Sequence, residues 1–286
     1  MASAQPATRQ AAVGRRLRIV PRPRLEFRVL GPLELSADGR PLPLAGELPR
    51  ALLSLLLIHL NKVVSRDILL DQLWDGRPPR TANDSLNNIA CRLRKQIGPG
   101  PLQTRPSGYL LRVDSDQLDL CRFEQLLSRQ AAQSDGERIA TLEHALSLWR
   151  GLPFEDVLYA SFAQPEIRRV EELQLDAYEQ LCRLKLEHND TSVLPLLHML
   201  VTRHPLRERL RCQLMRALAA TGRQADALAT YHDYRHALAE LDLAPGTDIE
   251  TVRRQLTVAA RPAPPLSRRS RTRTAPSSAA PTPRPP

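Results

Sequence analysis

The residues whose types and spacing are most open to chemistry run from Thr81 to Tyr109. Thr81, Asp84, Asn88, Cys91, Arg92 and Lys95 recur at three- and four-residue intervals. On a helix at 100° per residue they share one polar face, with Asn87 and Arg94 at its flank. Short hydroxyl and amide groups come first and cations last, which suits a rod laid in the major groove of DNA. Amides pair with adenine edges, arginine with guanine or phosphate, and lysine with phosphate. Leu86, Ala90, Leu93 and Ile97 fall within about 60° of one another on the opposite side and form a core stripe. Taken in isolation, the polar face reads first as ordinary solvated helix surface. Arg105, Ser107 and Tyr109 follow at once, on a hairpin placed to reach the adjacent minor groove or backbone.

Other chemistry finds little support. His232 and His236 stand at i, i+4, but no third ligand accompanies them and H-E-x-x-H is absent, so they read as surface or inter-helix residues. His59 lies in an apolar helix and reads as a core or boundary residue. There is no G-x-S-x-G elbow, no G-x-G-x-x-G turn and no G-x-x-x-x-G-K-[ST] loop. Glu171 and Glu172 are helix-surface charges. No catalytic residue, metal or cofactor is expected, and the chain is not read as an enzyme.

The elements that must position the polar face begin with a two-residue period: Leu25, Phe27 and Val29 alternate with Glu26 and Arg28, and Leu33-Glu34-Leu35 follows a Gly31-Pro32 turn. Asp38-Gly39 signals a hairpin, and Pro41-Leu42-Pro43-Leu44 an edge strand. Three helices are predicted next, over 50–61, after a Ser65 cap, and over 81–97, where Gly98-Pro99-Gly100-Pro101 stops the last. A hairpin over 102–113 closes the region. Sheet, three helices and hairpin is the order of a winged helix-turn-helix.

Beyond Leu118 the pattern is helical, over about 120–132, 137–149, 164–188, 191–203, 206–221, 223–241 and 246–258. Paired helices with short links resemble a tetratricopeptide-like array, with Ala227 and Tyr231 at its small and aromatic positions after the Gly222 turn. A generic helical bundle is the alternative.

Composition locates the charge. The 286 residues carry a net +10, yet residues 1–24 and 261–286 hold six Arg each and no acid, so residues 25–260 have 29 basic and 31 acidic side chains. A uniformly basic nucleic-acid coat is thereby excluded. Residues 25–113 carry 12 basic and 8 acidic groups against 17 and 23 over 114–260, so the half with the polar helix face is the basic half. Both tails are read as disordered, with Leu17, Ile19 and Val20 able to fray onto the first strand. No signal peptide or membrane span is read, and Cys91, Cys121, Cys182 and Cys212 are expected to be buried or half-buried free thiols in a reducing cytoplasm.

The runs Phe27-Arg28-Val29-Leu30-Gly31-Pro32-Leu33, Thr104-Arg105-Pro106-Ser107-Gly108-Tyr109-Leu110, Leu118-Asp119-Leu120, Leu148-Trp149-Arg150-Gly151 and His204-Pro205-Leu206-Arg207 resemble the Streptomyces antibiotic regulatory protein family over about residues 25–258. The resemblance implies an α+β, OmpR-type winged helix with an N-terminal antiparallel sheet over 25–113. An all-α bacterial transcriptional activator domain over 114–260 would follow, with tails at 1–24 and 261–286. It implies an activator of secondary-metabolite genes that binds direct repeats in promoter DNA as a homodimer, acting in the cytoplasm at the nucleoid. Asp84, Asn88, Cys91 and Arg92 would face the groove. The loop holding Asp75, Gly76, Arg77 and Arg80 would meet RNA polymerase, at its sigma subunit. Leu48 stands where relatives usually have Lys or Gln, which is expected to weaken a backbone contact, and Asn88-Ile89 stand where they often have Val-His, so base preference is expected to differ. No receiver domain fits in 24 residues, so phosphorylation control is not expected. Two other readings compete: a helical-repeat adaptor with a degenerate winged fold, and a nonspecific nucleic-acid binder driven by the tails.

Overall fold

A computed structural model describes residues 23–259. The expectations for the two tails, including Leu17, Ile19 and Val20, lie outside the described residues. β1 (Leu25–Arg28), β2 (Glu34–Ala37) and β3 (Arg40–Pro41) form an antiparallel sheet in that order, with Phe27 opposite Leu35 and Ser36 opposite Pro41. Alternation carries β1: Leu25 and Phe27 are buried while Arg28 is exposed. Asp38 and Gly39 both take positive φ, at 49° and 76°, as a tight hairpin turn requires. The expected edge strand over 41–44 shrinks to two residues, because prolines at 41 and 43 each lack a ladder donor.

α1 (Glu47–Ile58) starts earlier than its apolar run, since Pro49 is tolerated in a first helical turn. It buries Leu52, Leu53, Leu55, Leu56 and Leu57. β4 (Val63–Ser65) follows, and its last residue also caps α2 (Arg66–Leu73), with Ser65 Oγ accepting from the Ile68 amide at 3.2 Å. α3 (Ala82–Ile97) ends at Gly98, whose φ is +81°. β5 (Leu102–Arg105) and β6 (Gly108–Leu111) join β4 in a second antiparallel sheet of order β4-β6-β5. The sequence pattern does not reveal β4, because three residues are too few to show a period. Gly108 lets it approach: a Cβ there would sit 1.9 Å from the Val64 carbonyl oxygen.

A short 3₁₀ turn leads to α4 (Asp119–Ser128), then α5 (Asp135–Ser147) and α6 (Gln164–Glu187). The expected domain boundary near 113/114 is not where packing divides the chain. One hydrophobic cluster runs from Leu25 and Phe27 through Phe123 and Leu142 to Leu184, and the compact units separate at His188 and Asn189. A polar joint accompanies that shared core. The buried Asp119 carboxylate accepts from the amides of Val29 (2.8 Å), Leu30 (3.1 Å) and Leu120 (2.8 Å). The Arg150 amide donates to the Leu30 carbonyl at 2.8 Å and the Phe154 amide to the Val29 carbonyl at 2.7 Å. Asp156 accepts from the Leu33 amide and from Arg50, both at 2.5 Å. Gly31, at φ +143°, fits only because it has no Cβ, which would lie 3.0 Å from the Arg150 Cβ.

In the second unit α7 (Leu194–Arg203), α8 (Glu208–Ala220), α9 (Gln224–Ala239) and α10 (Thr247–Ala259) are layered, α8 packing on α7, α9 and α10. Ala227 and Tyr231 are buried, as the repeat pattern expects. Glu208 accepts from the amides of Gly246 (2.9 Å) and Ile249 (3.3 Å), satisfying the first turn of α10. Among the described residues no helix is long and apolar enough to cross a membrane.

Candidate nucleic-acid interface

α3 is strongly two-faced. Leu86, Ala90, Leu93 and Ile97 are at most 3% exposed, and Ile89 and Ala82 join them. Thr81, Asp84, Asn88, Cys91, Arg92 and Lys95 are exposed, and none of their side chains forms a hydrogen bond with another described residue. Cys91 therefore departs from the expectation of a buried or half-buried thiol, because it lies on the polar face of α3. Cys121 is half-buried, and burial pushes the Cys182 and Cys212 thiols up to about 12 and about 11. His232 and His236 are exposed, and no group of three or more metal-ligating side chains occurs among the described residues.

The wing holds Arg105 and Ser107 out at its exposed turn, with Arg105 donating to Gln103 Oε1 at 2.6 Å. Tyr109 is the correction. It sits on β6, the middle strand, with its side chain turned toward α3, so it is 2% exposed and its ring cannot reach a duplex. Its hydroxyl donates to Asn87 Oδ1 at 2.9 Å. The guanidinium groups of Arg66 and Arg94 stand 5.5 and 5.6 Å from its ring centre.

Those two arginines bind the elements together. Arg66 donates to Asn87 Oδ1 at 3.1 Å and to Asn83 Oδ1 at 3.4 Å, while its own amide donates to the Ser107 carbonyl at 3.0 Å. Arg94 donates through Nε to the Leu102 carbonyl at 2.9 Å and through its terminal nitrogen to Thr104 Oγ1 at 2.5 Å. One side of α3 is thus pinned to the start of α2 and to both wing strands. Sequence reasoning missed Arg66 and Asn83. A signal for Arg66 existed: a cation directly after a helix cap opposes the helix dipole and needs another partner.

The loop between α2 and α3 is exposed from Asp75 to Arg80. Asp75 and Gly76 take φ of +48° and +74°, and the Gly76 amide closes onto the Asp71 carbonyl at 2.8 Å. Asp75 Oδ1 accepts from Ser161 Oγ at 3.1 Å, anchoring the start of the loop to the segment before α6.

Residues 45–111 match the family model of a transcriptional regulatory protein, C terminal, and residues 118–257 match that of a bacterial transcriptional activator domain. The chain is 34% identical over 228 residues to the transcriptional regulatory protein MoaR1 of Mycobacterium tuberculosis, covering 76% of this chain and 73% of that protein. It is 36% identical over 239 residues to the regulatory protein AfsR of Streptomyces coelicolor, covering 81% of this chain but only 24% of AfsR. A solved structure of Mycobacterium tuberculosis EmbR in complex with a low-affinity phosphopeptide resembles it with a TM-score of 0.77 at 30% identity, over 84% of this chain and 67% of that one. A winged OmpR-type region, the helical region after it and these regulators together place the chain in the Streptomyces antibiotic regulatory protein family of DNA-binding transcriptional regulators.

Proposed function

We propose that this regulator is a sequence-specific activator of a secondary-metabolite gene cluster, binding direct repeats in promoter DNA as tandem protomers. The observation that supports it most is the outer face of α3. Asp84, Asn88, Cys91, Arg92 and Lys95 line up in solvent with hydrogen-bonding capacity that no described neighbour takes up, while the face behind them is fully buried. Asn88 and Arg92 would read base edges, Lys95 and Thr81 phosphates, and Arg105 and Ser107 the neighbouring backbone or minor groove. Two protomers on half-sites about one helical turn apart would bring both α3 helices to one side of the duplex. The exposed loop at Asp75, Gly76, Arg77 and Arg80 would then be offered to RNA polymerase holoenzyme at its sigma subunit. The protein would act in the cytoplasm, at the nucleoid.

Footprinting of the full chain on the promoters flanking its own gene tests this reading. Protection of two repeats in phase, with affinity falling steeply as salt rises, is the expected result. Protection without sequence preference would overturn the specific reading. Loss of all binding in a chain lacking residues 1–24 and 261–286 would transfer it to the tails.

A further inference from the structure

Asn87 and Asn88 are adjacent, exposed and identical in type, yet the fold leaves them different chemistry. Arg66 can only donate, so the Asn87 atom facing it must be the carbonyl oxygen. That oxygen has two lone pairs, and it meets two donors: Arg66 at 3.1 Å and the Tyr109 hydroxyl at 2.9 Å. Only the two amide hydrogens of Asn87 remain free. The bidentate pairing by which asparagine reads adenine needs an acceptor as well as a donor, so Asn87 lacks half of it. Asn88 keeps both, because its side chain makes no hydrogen bond with a described residue.

We propose that Asn87 is a specificity-determining residue of donor-only character, favouring guanine or thymine over adenine, whose N7 acceptor stands beside a donating amine, while Asn88 alone of the pair reads adenine bidentately. Tyr109 and Arg66 are positioning residues that impose this split. Tyr109 suits the task because it is buried under two guanidinium groups and belongs to the middle strand of the wing sheet, so its hydroxyl is held where the wing meets α3. The inference rests on the DNA-binding reading above.

Selection of binding sites from a random duplex library, by the full-length protein and two variants, tests it and requires no identified promoter. Asn87→Asp keeps an oxygen facing Arg66 and Tyr109 but turns the outward donor into an acceptor. The expected result is a change of preference at one base pair by about tenfold, from guanine or thymine toward cytosine or adenine, whose exocyclic amines donate. Tyr109→Phe keeps the ring and removes the hydroxyl, and is expected to admit adenine several-fold more often at that same base pair. An Asn87→Asp profile identical to the parent, or one weakened evenly at every position, would overturn the base-reading role. A parental profile in Tyr109→Phe would remove Tyr109 from its positioning role. Should the parent itself enrich no sequence, the sequence-specific reading fails and this inference falls with it, whereas a parent that enriches a site with unchanged variants overturns this inference alone.

Discussion

Two polar regions of the first unit use the same residue types and end in opposite states. At the joint around Gly31, Asp119, Arg150 and Asp156 close onto backbone groups more than one hundred residues away or nearly so, and Asp119 is 1% exposed. On the outer face of α3, Asp84, Asn88, Arg92 and Lys95 stay in solvent without side-chain partners among the described residues. A buried polar group is favoured to find its partner inside the protein, since desolvation without one is costly. An exposed row is satisfied by water, which a ligand can displace. Whether hydrogen bonds are closed within the protein, rather than polarity, separates the joint from the outer face of α3 proposed to meet DNA.

The sharpest way to break that contrast is at the joint. Asp119→Ala strips the acceptor from buried amides of Val29 and Leu30 and is expected to cost about 3 kcal/mol. Chemical denaturation measures it, and a cost near zero would mean the joint is not a structural weld. Gly31→Ala forces a side chain against Arg150 at φ +143° and should destabilise by about 2 kcal/mol in the same assay. On α3 the pattern inverts. Arg92→Ala should leave stability within about 0.5 kcal/mol, as surface substitutions do. It should weaken specific DNA binding by about 1–3 kcal/mol, read by titration against the footprinted site. An Arg92→Ala protein that melts early yet binds normally would reverse the assignment. Lys95→Ala should weaken binding evenly across sequences and reduce the slope of affinity against salt by about 1.

The smallest effect concerns pH. Burial raises the Asp119 carboxyl above its ordinary value of 3.8, outweighing the lowering by its amide donors and by Arg150. The folded state then keeps its proton to higher pH than the unfolded chain. The contribution to stability is full below 3.8 and declines as pH rises through the raised value. Asp119→Asn cannot ionise and should lack that decline, so parallel pH profiles of unfolding free energy would contradict it.

Much of this is legible in residue order. The stripe Leu86, Ala90, Leu93 and Ile97 is buried as its spacing requires, and the helices beyond Leu118 lie within a few residues of their periodic runs. β4 escapes a sequence reading because it is three residues long, and its Ser65 already has a role as a cap. Tyr109 departs from expectation for a different reason. Period-two alternation cannot assign faces in a run where Gly108, Tyr109, Leu110 and Leu111 are all buried.

Which side of α3 turns inward is a matter of helical period, and period is local, so the order of residues settled it unaided. Which of the outward amides keeps its acceptor free was decided by folding alone. Asn87 meets Tyr109 across 22 residues and Asp119 meets Val29 across 90, and no local rule encodes such distances. Those pairings follow from strands and helices sharing one core, where a group that loses its water is stabilised by whatever partner the chain happens to bring.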